Sequence, residues 1–133
     1  MNLELVLCTK EYWEFVRLLR TDPINQEGFF TTAHITPEQQ IEFMTHNWSK
    51  YKICLADGTP AGYVGLLQGH EITYCVHSNF QGKGVGSFMI KEFSKPFSTV
   101  DAYIRTDNVA SQKVFEKLGW EKQIYYKQNK QNK

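Results

Sequence analysis

The residues whose types and spacing could do chemistry are concentrated in Gln81-Gly82-Lys83-Gly84-Val85-Gly86-Ser87, a glycine-rich loop between a strand-like run and a helix-like run. Three glycines at alternate positions let the backbone take positive φ and approach a ligand without interference from Cβ, so successive N–H groups can converge on one anion. Ser87 then opens an apolar-periodic segment with Phe88, Met89, Ile90 and Phe93. The first-turn N–H groups of such a helix have no intrahelical partners and carry the positive end of its dipole. Loop and helix start together predict one phosphate-sized anion site. The spacing excludes two familiar alternatives. A Walker loop closes on Gly-Lys-Ser/Thr, whereas Lys83 precedes Gly84, and a dinucleotide fingerprint needs glycine where this chain has Ser87.

Composition narrows the partners. A chain of 133 residues with a net charge of +1 has the size of one domain and no field strong enough to recruit nucleic acid or an acidic membrane. Cys8, Cys54 and Cys75 are an odd number without a close pair, which argues against a disulfide framework and for a reducing compartment. The four histidines show no metal-ligand spacing. The N-terminus carries an acid where a secretory signal needs bases, and no apolar run approaches the roughly 20 residues of a membrane span. These features together predict a cytoplasmic protein without a metal.

The elements that must position the loop follow from periodicity. Residues 3–7 read as a strand, 10–20 as a helix capped by Thr9 with Tyr12, Phe15, Val16 and Leu19 on one stripe, and 25–35 as a loop holding Gly28-Phe29-Phe30. That loop either covers a pocket or plugs the core with its aromatics. Thr36-Pro37-Glu38-Gln39 is a capping box that starts a helix running to about Trp48, with Ile41, Phe43, Met44 and Trp48 as its buried side. Residues 51–56 and 61–67 form a hairpin about Asp57-Gly58, and 71–77 alternates as a third strand, with Ile72, Tyr74 and Val76 on one face and Glu71, Thr73 and Cys75 on the other. A helix over 87–95, a strand over 100–104, a helix over 109–118 and a strand over 120–126 complete the series. Strand, helix, strand is a crossover and demands a parallel pair, so the sheet is mixed. The expected class is α/β (α+β), in order β-α-α-β-β-β-α-β-α-β, as a single domain over 1–126 with a polar tail over 127–133.

Gln81-x-x-Gly84-x-Gly86, followed by Asn108-x-x-Ser111-x-x-x-Phe115 and Gly119-Trp120, resembles the signatures of the GCN5-related N-acetyltransferase (GNAT) family. The resemblance spans nearly the whole chain and is densest from Glu71 to Trp120. It implies a centrally splayed sheet of about six strands flanked by four helices, with acetyl-CoA as donor. Its pyrophosphate would rest on the amides of Gly82, Lys83, Gly84, Val85, Gly86 and Ser87 beside Gln81. Its pantetheine arm would lie along Cys75, Val76 and His77 and against Asn108, Ser111 and Phe115. Asn108 and Ser111 are also explained as a helix cap and a surface hydroxyl, Lys83 as a solvated loop charge and His77 as a strand end.

The implied reaction is direct attack of an amine on the thioester, with a backbone N–H near Val76 polarising the carbonyl. The amine must be neutral, so a general base is useful, and His70 and Glu71 at the head of the strand are the candidates. Phe115 stands where many family members carry the tyrosine that protonates the departing thiolate. Tyr103, Ser111 or Tyr125 could substitute, or water could supply the proton. A small-molecule amine, such as an aminosugar nucleotide, is the expected acceptor. A protein N-terminus, a binding module that keeps acetyl-CoA without chemistry, and a structural protein whose glycine loop is only a turn are the alternatives. One strand after the last helix, where the family usually has two, leaves an edge that a homodimer could cover.

Overall fold

A computed structural model of the chain describes residues 1–29, 33–124, 126 and 128. The order is β1 (Leu3–Leu7), α1 (Trp13–Thr21), α2 (Pro37–Asn47), β2 (Tyr51–Ala56), β3 (Thr59–Leu67), β4 (Glu71–Val76), α3 (Val85–Ser94) and α4 (Val109–Lys117), with short 3-10 turns between. The four strands form one antiparallel sheet in sequence order. Asp57 and Gly58 both take positive φ (49° and 83°) between β2 and β3, the backbone that a two-residue hairpin requires.

Four strands replace the expected six. Residues 100–104 contribute only an isolated parallel bridge, Glu71 to Asp101. The described part of 120–126 forms no strand. Tyr125, Phe30 and all of the expected tail except Gln128 lie outside the described residues. Two helix starts also differ from expectation. α3 begins at Val85, two residues before Ser87, because Gly84 at φ 82° already caps it. Thr9 makes no cap bond, and a 3-10 turn over Lys10–Tyr12 precedes α1.

One face of the sheet packs on α3 and α4, where Val64, Ile72, Met89, Ile90 and Phe115 are buried together. The other carries α1 and α2 over Cys8, Val16, Met44, Ile53 and Tyr63. The expected burial of α2 is corrected: Met44 is buried, but Ile41 and Phe43 are 50% and 42% exposed, and Trp48 is also on the surface. Gln40 takes the inward position instead, its side-chain amide donating to the Trp13 carbonyl at 2.9 Å and so tying α2 to α1. A buried amide with a partner is stable where an unpaired one is not. The capping box of α2 is present as expected, with Gln39 N–H donating to Thr36 Oγ1 and Thr36 N–H to Gln39 Oε1.

Gly62 sits on β3 opposite Val76. A Cβ there would come within 2.7 Å of the Cys75 carbonyl oxygen and 2.9 Å of Met89 Cε. Gly62→Ala therefore forces β3 away from β4 or α3, and urea unfolding is expected to show a loss of roughly 1–3 kcal/mol.

Candidate active site

β4 uses one edge to pair with β3, and the other faces an opening. The Ile72 N–H donates to the Asp101 carbonyl and the Asp101 N–H to the His70 carbonyl, each at 2.8 Å. Beyond that bridge the two segments part, since residues 102–105 belong to no strand. Successive N–H groups on a strand alternate in direction. The His77 N–H turns to the Ala61 carbonyl on β3 (2.8 Å), so those of Tyr74 and Val76 share the outward side with that of Ile72. The result is a wedge whose closed end is the Glu71–Asp101 bridge and whose wall is an unpaired strand edge. The Val76 carbonyl on that edge accepts a hydrogen bond from Gln81 Nε2 at 3.3 Å.

The wedge belongs to a cavity of about 830 Å³. Its wide end is closed by the glycine loop. Gly82 and Gly84 adopt φ 75° and 82°, and a Cβ at either would meet nothing within 4 Å. The first bond of α3 runs from the Phe88 N–H to the Gly84 carbonyl at 3.1 Å, so the N–H groups of Val85, Gly86 and Ser87 have no partner inside the helix. Lys113 and Lys117 of α4 line the same cavity and add positive charge to it.

The structure brings together most of the residues read from the sequence and leaves out three. Glu71, Cys75, Val76 and Gln81 line the cavity, as do Gly82, Gly84, Val85, Gly86 and Ser87 of the loop and Asn108, Ser111 and Phe115 of the last helix. His70, His77 and Lys83 do not. The His77 ring stacks on Phe15 and its Nδ1 accepts from the Asn79 N–H at 3.1 Å, which makes it a cap. Lys83 lies over the Phe80 ring at 5.9 Å. His70 is drawn to the outer side of the bridge, its Nδ1 3.7 Å from Asp101 Oδ2. Of the two base candidates, strand alternation puts His70 on the face of Ile72, Tyr74 and Val76, yet Glu71 lines the cavity and His70 does not. No register shift separates β3 from β4, so no bulge is responsible; His70 lies in the turn before β4, where alternation no longer governs direction.

Asn108 and Ser111 do what their structural reading required. Asn108 Oδ1 accepts the Ser111 N–H at 3.1 Å and caps α4. The Ser111 hydroxyl pairs with the Tyr74 hydroxyl at 2.7 Å. Tyr74 was missed by sequence reasoning because its place in an alternating strand explained it fully. Arg20 and Phe29 were also missed as a pair. The Arg20 guanidinium lies 4.0 Å over the Phe29 ring, and both border the cavity where the 3-10 turn Pro23–Gly28 forms its rim. Arg105 holds that rim down, donating from Nη1 to the Phe29 carbonyl at 3.2 Å.

A profile of the acetyltransferase (GNAT) domain matches residues 2–121. The chain belongs to the GNAT family. Solved structures share the fold of this N-acetyltransferase. An N-acetyltransferase from Staphylococcus aureus Mu50 superposes at TM-score 0.75 with 19% identity, over 90% of this chain and 83% of that one. The spermidine N-acetyltransferase of Vibrio cholerae, in complex with CoA and spermine, gives 0.76 with 15% identity over 88% and 79%. AAC(6')-Iy, in complex with the bisubstrate analogue CoA-S-monomethyl-acetylneamine, gives 0.66 with 18% identity over 97% and 99%. No group of three or more metal-ligating side chains gathers among the described residues, and no described helix is long and apolar enough to cross a membrane.

Charge within the GNAT cavity is tuned mainly by burial. Desolvation raises the Glu71 carboxyl above the usual carboxylate range, with His70 pulling it down and Asp101 pushing it up by smaller amounts. Burial also pushes the Cys75 thiol up to about 12 and raises the Tyr74 phenol, which the Ser111 hydrogen bond partly offsets. A carboxyl raised on folding binds more protons in the native state, so its contribution to stability is present below the unfolded value and is lost as pH climbs through the folded one. Glu71→Gln is therefore expected to raise the Tm at neutral pH, with the gain fading toward about pH 4, where Glu71 is protonated in both states. Thermal melts of both proteins across that range provide the check.

Proposed function

We propose that this GNAT N-acetyltransferase moves the acetyl group of acetyl-CoA directly to the primary amine of a small molecule. The observation that carries the reading is the wedge beside β4: an unpaired strand edge leading from a closed end to a ring of unpaired amides. An extended amide-bearing arm can hydrogen-bond to the N–H groups of Tyr74 and Val76, and a pyrophosphate fits the positive-φ loop at Gly82 and Gly84 and the first turn of α3. Both glycines would fill that space with a Cβ if substituted. Lys113 and Lys117 suit the nucleotide phosphates, and Asn108 retains its Nδ2 for the arm while its Oδ1 is engaged in the cap.

At the closed end Glu71 is the base this geometry supports. It borders the cavity and its raised pKa moves it toward the working range of a base acting near neutral pH. His70 serves the bridge through Asp101. Arg20, Phe29 and the rim they form would receive the acceptor. The Vibrio cholerae and AAC(6')-Iy structures hold spermine and CoA-S-monomethyl-acetylneamine in their complexes, which supports a small amine over a peptide. A Cys75 thiol held at about 12 is a poor source of thiolate at neutral pH, which disfavours an acyl-enzyme on that residue.

Titration calorimetry with acetyl-CoA is expected to show binding to the native protein. Gly84→Val should abolish it, because the branched side chain must adopt φ near 82° and projects into the cradle. Circular dichroism should show Gly84→Val folded but with a lowered Tm, since the positive φ strains the valine locally while nothing within 4 Å crowds it. Thiol release from acetyl-CoA over a panel of small amines is expected to find turnover; binding without turnover for any amine, small or peptide-borne, would make the chain a binding module. Double-reciprocal plots should intersect, and mass spectrometry of the protein with acetyl-CoA alone should find no acetyl adduct on Cys75.

A further inference from the structure

Acetyl transfer to an amine forms a C–N bond and breaks a C–S bond, leaving the electron pair on sulfur. The departing thiolate is stabilised by a nearby O–H that hands over its proton as the bond lengthens. Phe115 cannot do this. Among the hydroxyls bordering the cavity, Ser87 lies in the anion cradle, and Thr73 is turned to the opposite face of the sheet, where it bonds Tyr63. Tyr103 sits on the departing segment with 44% of its surface exposed. Tyr74 differs from these. Its ring lies between the start of α3 and α4, with Cε2 only 3.3 Å from where a Cβ on Gly86 would stand and its centroid 6.0 Å from that of Phe115. Its hydroxyl is fixed by the buried Ser111 at 2.7 Å, and its own N–H faces the open strand edge.

We propose that Tyr74, positioned by Ser111, is the proton donor to the leaving thiolate. The proposal rests on the acetyl-transfer reading. Either hydroxyl of the pair can be the donor. When Ser111 donates to Tyr74, the phenol proton is turned toward the cavity and the developing phenolate is hydrogen-bonded at once. The sulfur takes that proton to become the thiol. The amine's proton leaves through Glu71 to water, and the phenolate is recharged from solvent by way of Ser111, so thioester and amine become amide and thiol with no other reactant. Burial, which raises the phenol, keeps the donor protonated over the range in which the amine is neutral enough to attack.

Kinetics of Tyr74→Phe, Ser111→Ala, Phe115→Tyr and the double variant Tyr74→Phe with Phe115→Tyr test the assignment, with acetyl-CoA affinity measured by calorimetry on each. Tyr74→Phe is expected to lower kcat about 10²-fold, to leave the affinity for acetyl-CoA within about twofold of wild type, and to lose the alkaline fall of the kcat profile that ionisation of Tyr74 produces. Ser111→Ala should give a smaller loss and shift that alkaline limb upward, because the phenolate is no longer hydrogen-bonded. Phe115→Tyr places a hydroxyl on the adjoining ring and should restore most of the activity in the Tyr74→Phe background while adding little to the wild type, where a donor is already in place; an equal gain in both backgrounds would count against Tyr74. A wild-type kcat in Tyr74→Phe, or a loss that keeps the alkaline limb and is not rescued, would overturn the proposal while wild-type turnover in the same assay leaves acetyl transfer standing. Absence of wild-type turnover would overturn both.

Discussion

Two backbone hydrogen bonds, Ile72 N–H to the Asp101 carbonyl and Asp101 N–H to the His70 carbonyl, hold the returning chain against β4 at one point and nowhere further along. A fully zipped parallel strand would have satisfied every amide on that edge and left no room for a ligand. The twist of a sheet carries neighbouring segments apart unless a ladder keeps them in register. Here the ladder stops after one bridge, and the chain instead spends residues 102–108 reaching the start of α4. The edge amides of Tyr74 and Val76 are therefore left without a ladder partner. The remainder of the site is arranged around that interruption, with the positive-φ glycine loop at its wide end and Glu71 at its closed end.

The two sides of the sheet divide the labour. On one, α3 and α4 bury a dense set of apolar residues around Met89, Ile90 and Phe115, which gives the glycine loop and the α4 cap a rigid base. On the other, α1 and α2 pack over Tyr51 and Tyr63, and the rim that follows α1 is held by polar ties, including Asn25 to the Leu19 carbonyl, Gln26 to the Arg20 carbonyl and Arg105 to the Phe29 carbonyl. The α3 and α4 side thus rests on apolar packing, whereas the rim after α1 is a connecting segment held by hydrogen bonds to its neighbours, where a change of side chain disturbs the core least.

The polar positions of the site serve twice. Asn108 caps a helix and faces the cavity, and Ser111 is part of the α4 start and the partner of Tyr74. Gln81 leaves the loop to bond the Val76 carbonyl, so it secures the turn while masking one acceptor on the strand edge. A structural role for these residues therefore does not exclude a functional one. A buried hydroxyl or amide needs a partner in the protein whatever else it does.

The sequence by itself determined the local features: the positive-φ loop from its glycines, the capping box at Thr36, the Asp57-Gly58 hairpin, the cap at Asn108 and the order of the elements up to α3. Each depends on residues within a few positions of one another, where backbone sterics and hydrogen-bond reach decide the outcome. Tertiary structure alone decided that residues 100–104 make one bridge and not a strand, that Gln40 points inward while Phe43 stays on the surface, that Glu71 and not His70 faces the cavity, and that Tyr74 meets Ser111 across 37 positions. Those outcomes depend on where one element comes to lie against another. Periodicity assigns a residue to a face, but only packing determines what that face meets.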